Sequence, residues 1–261
     1  MRNRNIVRKL NTDLKALNYW LMANKISLNS SKTELIIFRD KNKTIPPLNI
    51  KLNGIKLIPK PEIKYLGLIM DEHLTFKTHI NITNAKLKRA NNLLALSRHY
   101  LPRTFLTQVY YAQFHSHLVY GCQVWGYESS NVSQTLSLQK KAVKLMMFAD
   151  NNSPTGPIFN ELRILKLDEL IKTNNVIFTH KTLNNNSPSH FHNFYELYTP
   201  THDYPTSNNP TSTYSIPAGS IQLLEAEAGT FKHKCAEDWN FILKKLSSAS
   251  SQTNWLVDLR P

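Results

Sequence analysis

The chain has 261 residues, of which 41% are hydrophobic and 19% are charged. This composition supports a hydrophobic core and excludes a wholly disordered protein. No apolar run reaches the roughly 18 residues that indicate a transmembrane helix, and two cysteines exclude a disulfide framework. We therefore expect an intracellular protein, cytoplasmic or nuclear, without a membrane partner.

Positive charge is concentrated in the first part of the chain. The formal net charge is +14, and residues 1–110 hold 20 Lys and Arg against 6 acidic residues, whereas the remainder holds 12 of each. A field of one sign over one region attracts a polyanion. Nucleic acid is the partner that this pattern favours. A membrane surface is the second candidate, and a basic surface without a partner is the third.

The first part of the chain combines one predicted helix with several predicted strands. Apolar residues at helical spacing predict an amphipathic helix over residues 5–24. The segment Lys32–Phe38 (KTELIIF) predicts a buried strand. The pair Asn53-Gly54 lies between two alternating runs and predicts a β-hairpin over residues 48–57. A further strand is predicted at Ile63–Met70 (IKYLGLIM).

The rest of the chain has helical periodicity. The pattern predicts helices over residues 76–96, 103–124, 131–148, 156–163, 168–184 and 229–246. Residues 185–220 are rich in Asn, Ser, Thr and Pro and predict a long connection, with a strand near Tyr214–Ile216. The predicted fold class is α+β: a small sheet with a β-hairpin, a helical bundle, and an irregular, partly helical tail.

Several common catalytic and metal-binding motifs are absent from the sequence. There is no glycine-rich phosphate loop, no GxSxG nucleophile elbow and no CxxC pair. Two-metal catalysis needs adjacent carboxylates, but Asp150, which ends the run MMFAD, is followed by two asparagines. The adjacent acidic pairs are Asp71-Glu72, Asp168-Glu169 and Glu237-Asp238. We predict no metal site in this chain.

Four ordered motifs carry a resemblance to a known family. LNYWLMANKISLNSSKTELIIF (17–38) matches the pattern W-x-x-x-N-K-L-x-L-N-x-x-K-T, with Ile26 in place of the usual leucine. IKYLGLIMDEHLTFKTHI (63–80) matches K-Y/F-L-G-V-x-[IL]-D-x-x-L-x-[WF]-x-x-H-I. YYAQFHSHLVYGCQVWG (110–126) and LSLQKKAVKLMM (136–147) are similar to two helical segments that follow in the same order. The chain thus resembles the reverse transcriptases of non-LTR (LINE-type, jockey-like) retrotransposons.

The resemblance implies a fragment of an RNA-directed DNA polymerase. It places the end of the palm, with a primer-grip-like hairpin, at residues 1–75, a helical thumb-like domain at 76–185, and a poorly assigned extension at 186–261. The family's paired catalytic aspartates and fingers precede the matched region. The chain alone is therefore expected to be inactive and to need no cofactor, although the intact family enzyme uses Mg²⁺.

The implied partners are a primer–template duplex, either RNA–DNA or DNA, and the missing N-terminal fingers and palm. A second interpretation, from a different functional class, is a stand-alone basic module that binds nucleic acid without catalysis. An open reading frame that continues upstream to a paired-aspartate motif would decide between the two.

The resemblance also assigns roles to individual residues. Lys32 corresponds to a general acid that protonates the leaving pyrophosphate; its alternative is a surface lysine at a turn. Gly67 allows a sugar-phosphate backbone to approach closely; its alternative is a sheet glycine at a bulge. The implied nucleic-acid contacts are Tyr65, Leu66 and Gly67 in the primer grip, and Lys77, Lys86, Lys88 and Arg89 on the following helix. The helical cations would contact phosphates or else form a solvated face.

Overall fold

A computed structural model describes residues 2–29, 32–46, 48–126, 129–197, 221 and 231–249. The chain divides into two compact units, Met1–Lys86 and Leu87–Pro261. The described residues are mainly helical, with two small antiparallel sheets, so the predicted α+β class is confirmed. The predicted strand at residues 214–216 lies outside the described residues.

The first unit begins with a long helix, α1 (Arg2–Ala23), as its apolar periodicity predicted. The helix ends where Asn24 donates its side-chain amide to the carbonyl of Trp20 and Lys25 adopts a left-handed conformation with φ of 55°. Ile26 N–H then donates to the carbonyl of Leu21, which closes the helix in the manner of a Schellman cap.

The predicted hairpin over residues 48–57 is confirmed. Strands β1 (Lys51–Leu52) and β2 (Ile55–Lys56) pair in antiparallel register. Between them, Asn53 and Gly54 both have positive φ, 51° and 79°. This is the pattern of a type I′ turn, whose twist matches that of the flanking strands.

The segment Ile63–Met70 is a second hairpin, so the prediction of one continuous strand is wrong. Strands β3 (Glu62–Tyr65) and β4 (Leu68–Asp71) pair antiparallel, with Tyr65 opposite Leu68. The chain reverses at Leu66 and Gly67, which have φ of 45° and 84°. The apolar run concealed this turn because Leu66 adopts a conformation that leucine seldom takes.

The prediction of a buried strand at Lys32–Phe38 is also wrong. Among the described residues, the strand pairing of this segment is limited to an isolated parallel bridge between Leu35 and Pro59, with Lys60 N–H donating to the carbonyl of Leu35. Proline has no N–H group, so a neighbour with Pro59 and Pro61 cannot extend the ladder. β-branched and apolar composition therefore did not suffice for strand formation here.

The remaining elements are helical, and no helix among the described residues is long and apolar enough to cross a membrane. In chain order they are α2 (Lys77–Ser97), α3 (Arg103–Val109), a π-helical turn (Tyr110–His115), α4 (Ser116–Val119), α5 (Cys122–Trp125), α6 (Ser129–Met146), α7 (Thr155–Leu162), α8 (Leu167–Leu183), a 3₁₀ turn (Ser189–Phe191) and α9 (Phe231–Ala249).

One helix prediction in this part is too long. The predicted helix over residues 103–124 is interrupted at Gly121, which has φ of 63° and separates α4 from α5. Helix α6 begins at Ser129, two residues before the predicted start at residue 131. The other predicted helices of this part are confirmed, apart from shifts of a few residues at their ends.

The second unit contains an extensive hydrophobic core. Its largest fully buried side chains include Trp125, Tyr110, Phe114, Leu118 and Met146. A smaller cluster of Tyr195, Ile221, Cys235 and Ala236 is covered by partly buried aromatic side chains. Since burial of each large apolar side chain stabilises a fold by about 1.5–3 kcal/mol, packing dominates the stability of this unit.

Candidate nucleic-acid interface

The tip of the β3–β4 hairpin presents an aromatic and an aliphatic side chain to solvent. Tyr65 is 58% exposed and Leu66 is 73% exposed. Gly67 occupies the second position of the two-residue turn and not a bulge, and its φ of 84° is accessible to glycine at little cost. The three residues of the predicted primer grip therefore lie together at one exposed turn.

Asp71 ties this hairpin to the start of α2. Its carboxylate accepts hydrogen bonds from the N–H groups of His73, Thr75 and Phe76, at 3.0, 3.2 and 2.7 Å, and from the Thr75 hydroxyl at 3.0 Å. Burial alone would raise the pKa of Asp71, but these donors together outweigh it and lower the pKa below its ordinary value. The carboxylate thus fixes the connection between strand and helix.

His79 makes a second link between the hairpin and α2. Its side chain is 7% exposed, and Nδ1 accepts a hydrogen bond from Ile69 N–H at 3.4 Å. Nε2 therefore carries the proton in the neutral ring and faces the Thr83 hydroxyl at 3.5 Å. Burial, followed by the charge of Lys86, lowers the pKa of His79. The neutral ring is the form that this contact requires.

The acidic pair Asp71-Glu72 does not fit a Mg²⁺ site. Glu72 is held by the Arg39 guanidinium in a bidentate pair, with Nη2–Oε1 and Nε–Oε2 distances of 2.7 and 3.0 Å. The Asp71 carboxylate is occupied by its four donors. Within the described ranges, no group of three or more His, Cys, Asp or Glu residues is placed to hold a metal ion.

The basic residues of α2 are all exposed, but they do not share one face. At about 100° per residue, Lys77 and Lys88 lie within about 20° of each other, and Lys86 and Arg89 within about 60°. The two pairs stand about 140° apart, at opposite ends of the exposed arc of the helix. A strand lying along one side of α2 would meet one pair, whereas a groove enclosing the helix would meet both.

Lys32 lies in a separate turn that follows α1. Its N–H group is 3.2 Å from the Asn29 side-chain oxygen and 3.2 Å from the Asn29 carbonyl, and its own side chain is exposed. The Thr33 hydroxyl also donates to the Asn29 carbonyl. Asn29 therefore organises this turn.

In the second unit, the motif residues form structural contacts that the sequence analysis did not foresee. The Trp125 indole N–H donates to the Tyr120 carbonyl at 2.8 Å. A methyl group at Gly126 would lie 2.4 Å from the Cys122 carbonyl and 2.5 Å from Ile171. A side chain at this position would therefore clash with the backbone carbonyl of Cys122 in α5 and crowd Ile171 of α8, and this explains the glycine of the W-G dipeptide.

Gln139 is another motif residue with a role that the sequence did not reveal. The side chain is completely buried. Its amide nitrogen donates to the Tyr110 hydroxyl at 3.1 Å and the Leu165 carbonyl at 2.9 Å, while its oxygen accepts from Leu167 N–H at 2.9 Å. Gln139 thus joins the π-helical turn, α6 and the beginning of α8. A glutamine at a core position of an apolar helix pattern was the available signal.

Comparison with known proteins agrees with the motifs. The chain is 30% identical over 132 residues to the probable RNA-directed DNA polymerase from transposon X-element of Drosophila melanogaster, and 27% identical over 164 residues to the RNA-directed DNA polymerase from mobile element jockey of Drosophila funebris. The resemblance to non-LTR reverse transcriptases is confirmed. No family profile and no solved structure matches this reverse-transcriptase-like chain.

The similarity is confined to a region of these polymerases. The two matches cover 49% and 61% of this chain, but only 14% and 18% of the respective relatives. The jockey polymerase of Drosophila melanogaster matches over the same length, with 28% identity. The chain therefore corresponds to less than a fifth of each of these proteins.

Proposed function

We propose that this chain is the end of the palm and the thumb of a non-LTR retrotransposon reverse transcriptase, and that it holds a primer–template duplex without catalysing synthesis itself. The proposed palm remnant covers residues 1–75, the thumb 76–185 and a C-terminal extension 186–261. The observation that carries the proposal is the exposed tip at Tyr65–Gly67, which Asp71 and His79 fix to the basic helix α2.

The proposed contacts divide by chemistry. Tyr65 offers an aromatic ring, and Gly67 offers backbone without a side chain, so a sugar-phosphate chain can approach the turn closely. Lys77, Lys86 and the two cations that follow on α2 contact phosphates, which position a duplex without reading its sequence. Lys32 serves as the general acid only beside a complete catalytic centre with its Mg²⁺, which the fingers and the rest of the palm would build.

The salt dependence of binding tests this proposal. Log K should fall with log salt by about 0.9 per phosphate contact on a duplex. In titrations of a labelled RNA–DNA hybrid, the triple variant K86Q/K88Q/R89Q should have a slope about 2–3 units shallower than the unaltered chain. The control K140Q/K141Q/K181Q, with the same loss of charge on α6 and α8, should change it less. Equal slopes for the unaltered chain and the first variant would show that α2 is only a solvated face.

An incorporation assay separates this fragment from an intact polymerase. With a primer–template, Mg²⁺ or Mn²⁺ and all four dNTPs, the purified chain should extend no primer. Two-metal catalysis needs a pair of carboxylates free to bind cations, but in each adjacent acidic pair of the described residues one member is held by another side chain: Glu72 by Arg39, Glu169 by Lys166 and Asp238 by Asn175. Primer extension that disappears when one of the chain's own acids is replaced would contradict the proposal. The alternative, a stand-alone binding module, predicts the same two results and is distinguished by the upstream reading frame.

A further inference from the structure

The β1–β2 hairpin carries two lysines in direct opposition. Lys51 pairs with Lys56 in the register. Leu57 N–H donates to the Ile50 carbonyl, so the adjacent Lys51–Lys56 pair is a non-hydrogen-bonded one, in which the Cα atoms are only about 4.5 Å apart. Both side chains are exposed, and neither has an acidic partner in the described part of the chain. Like charges in this position destabilise a hairpin.

Asn11 of α1 holds the hairpin in place despite this repulsion. Its side-chain oxygen accepts from Lys51 N–H and its amide donates to the Asn49 carbonyl, both at 2.9 Å. Ile50 and Leu52 anchor the same strand, with 2% and 4% exposure. A two-stranded hairpin is marginally stable by itself, so these contacts keep two unpaired lysines side by side.

The helix that supplies Asn11 adds further positive charge beside this contact. Arg8 lies three residues before Asn11 and Lys15 four residues after it, which places all three on one face of α1. Arg8 and Lys15 are exposed, and no ion pair to either is found among the described residues. Asp13, the single acid of α1, lies about 200° around the helix from Asn11.

We propose that Arg8, Lys15, Lys51 and Lys56 form a second phosphate-binding surface, the α1–hairpin surface, which contacts a nucleic-acid backbone apart from the proposed primer grip. A phosphate between Lys51 and Lys56 replaces their mutual repulsion with two attractions. The inference rests on the proposed function only for the identity of the ligand. Leu52 and Ile55 lie on the other face of the hairpin, so within β1 and β2 the face that carries the two lysines has no apolar side chain to insert into a bilayer.

The variant K51Q/K56Q separates binding from folding. Melting of the full chain without nucleic acid should occur at the same temperature or a higher one, because the variant removes a repulsion. Binding to the RNA–DNA hybrid should lose about 2 units of salt slope. The control K25Q/K41Q removes the same charge from the same unit, outside the α1–hairpin surface, and should keep a slope close to that of the unaltered chain.

A charge reversal gives a second, independent measurement. In K56E, Lys51 faces an opposite charge, so the melting temperature should rise while the salt slope becomes shallower. An unchanged slope in both K56E and K51Q/K56Q would overturn the inference. If K86Q/K88Q/R89Q still weakened binding in that case, the proposed function would stand without the α1–hairpin surface. Unchanged slopes in all these variants would contradict both the inference and the proposed function.

Binding to lipid vesicles tests whether the α1–hairpin surface binds an anionic membrane instead of nucleic acid. The unaltered chain and K51Q/K56Q should differ in binding to the hybrid and should both bind phosphatidylserine vesicles weakly. Loss of vesicle binding in the variant, with unchanged hybrid binding, would assign the surface to a membrane and overturn the inference.

Discussion

The two units of this protein are stabilised by different interactions. In the described part of the first unit, the buried hydrophobic side chains are Ile50, Leu52, Phe76 and Ile80, and Trp20 on α1 is 57% exposed. Its connections depend on polar side chains that bind the backbone, chiefly Asn11 and Asp71. All the other buried hydrophobic side chains among the described residues lie in the second unit. Polar contacts thus hold the elements of the first unit together, whereas apolar packing holds those of the second unit together.

This difference has a functional meaning under the proposed role. The first unit has the exposed hairpin tip, the α1–hairpin surface and most of the excess charge. A unit of this kind gains stability from whatever neutralises its charge, since a ligand that binds the folded state stabilises it. The packed second unit needs no such ligand.

The largest effect on stability is expected for Gln139, a buried polar side chain in the apolar core of the second unit. Replacing Gln139 with alanine leaves the Tyr110 hydroxyl, the Leu165 carbonyl and Leu167 N–H without their buried partner. We expect a loss of about 3 kcal/mol in the free energy of unfolding, measured by urea denaturation. Gln113→Ala, at an exposed position of the π-helical turn, is the control and should change little. Equal stability of the two variants would contradict the assigned role of Gln139.

In the first unit, the polar side chain that joins neighbouring elements through its hydrogen bonds is Asp71. The variant Asp71→Ala removes the acceptor of four hydrogen bonds at the start of α2 and should cost about 2 kcal/mol. Hydrogen exchange measured by mass spectrometry should locate the loss in peptides from β4 and the first turn of α2. Asp40→Ala, which breaks an exposed ion pair with Lys43, should leave those peptides unchanged. Faster exchange spread evenly over both units would disprove this local role.

Alkaline pH should weaken the second unit. Burial raises the pKa of the Cys235 thiol from 9.0 to about 12 and that of Tyr110 from 10.0 to about 12. Above pH 9 the unfolded chain loses the thiol proton while the folded chain keeps it, so stability is complete below pH 9 and falls as pH rises. The loss should reach about 1.8 kcal/mol at pH 10, of which the thiol contributes about 1.4 and Tyr110 about 0.4. Chemical denaturation at pH 8, 9 and 10 measures it, and Cys235→Ala should reduce the slope.

Acidic pH should weaken the first unit, with the smallest effect of the four. The pKa of His79 is lowered from 6.5 by burial and by Lys86, so the folded chain takes up its proton at a lower pH than the unfolded chain. Stability is complete above about pH 6.5 and falls as the pH decreases through that value. Hydrogen exchange at Ile69, which donates to Nδ1, should become less protected relative to its intrinsic rate below pH 6.5. A His79→Gln variant whose exchange keeps the same pH dependence would exclude this histidine as the cause.

Local sequence predicted the elements whose stability is itself local. The periodicity of α1 and α2 and the Asn53-Gly54 turn depend on neighbouring residues, and all three were confirmed. The predicted strand at Lys32–Phe38 failed because a strand needs a partner, and Pro59 cannot supply a continuous ladder. Leu66 concealed a turn because its conformation is imposed by the pairing of β3 with β4.

The same distinction applies to the candidate site. The sequence alone determined the basic character of the first 110 residues, the absence of a phosphate loop and the motifs shared with reverse transcriptases, since these are properties of residue type and spacing. Only the tertiary structure decided that Asp71 binds a helix start, that Gln139 joins three elements, and that Lys51 faces Lys56. Hydrogen-bond partners and opposed charges are set by chain reversals and long-range packing, and residue spacing does not specify them.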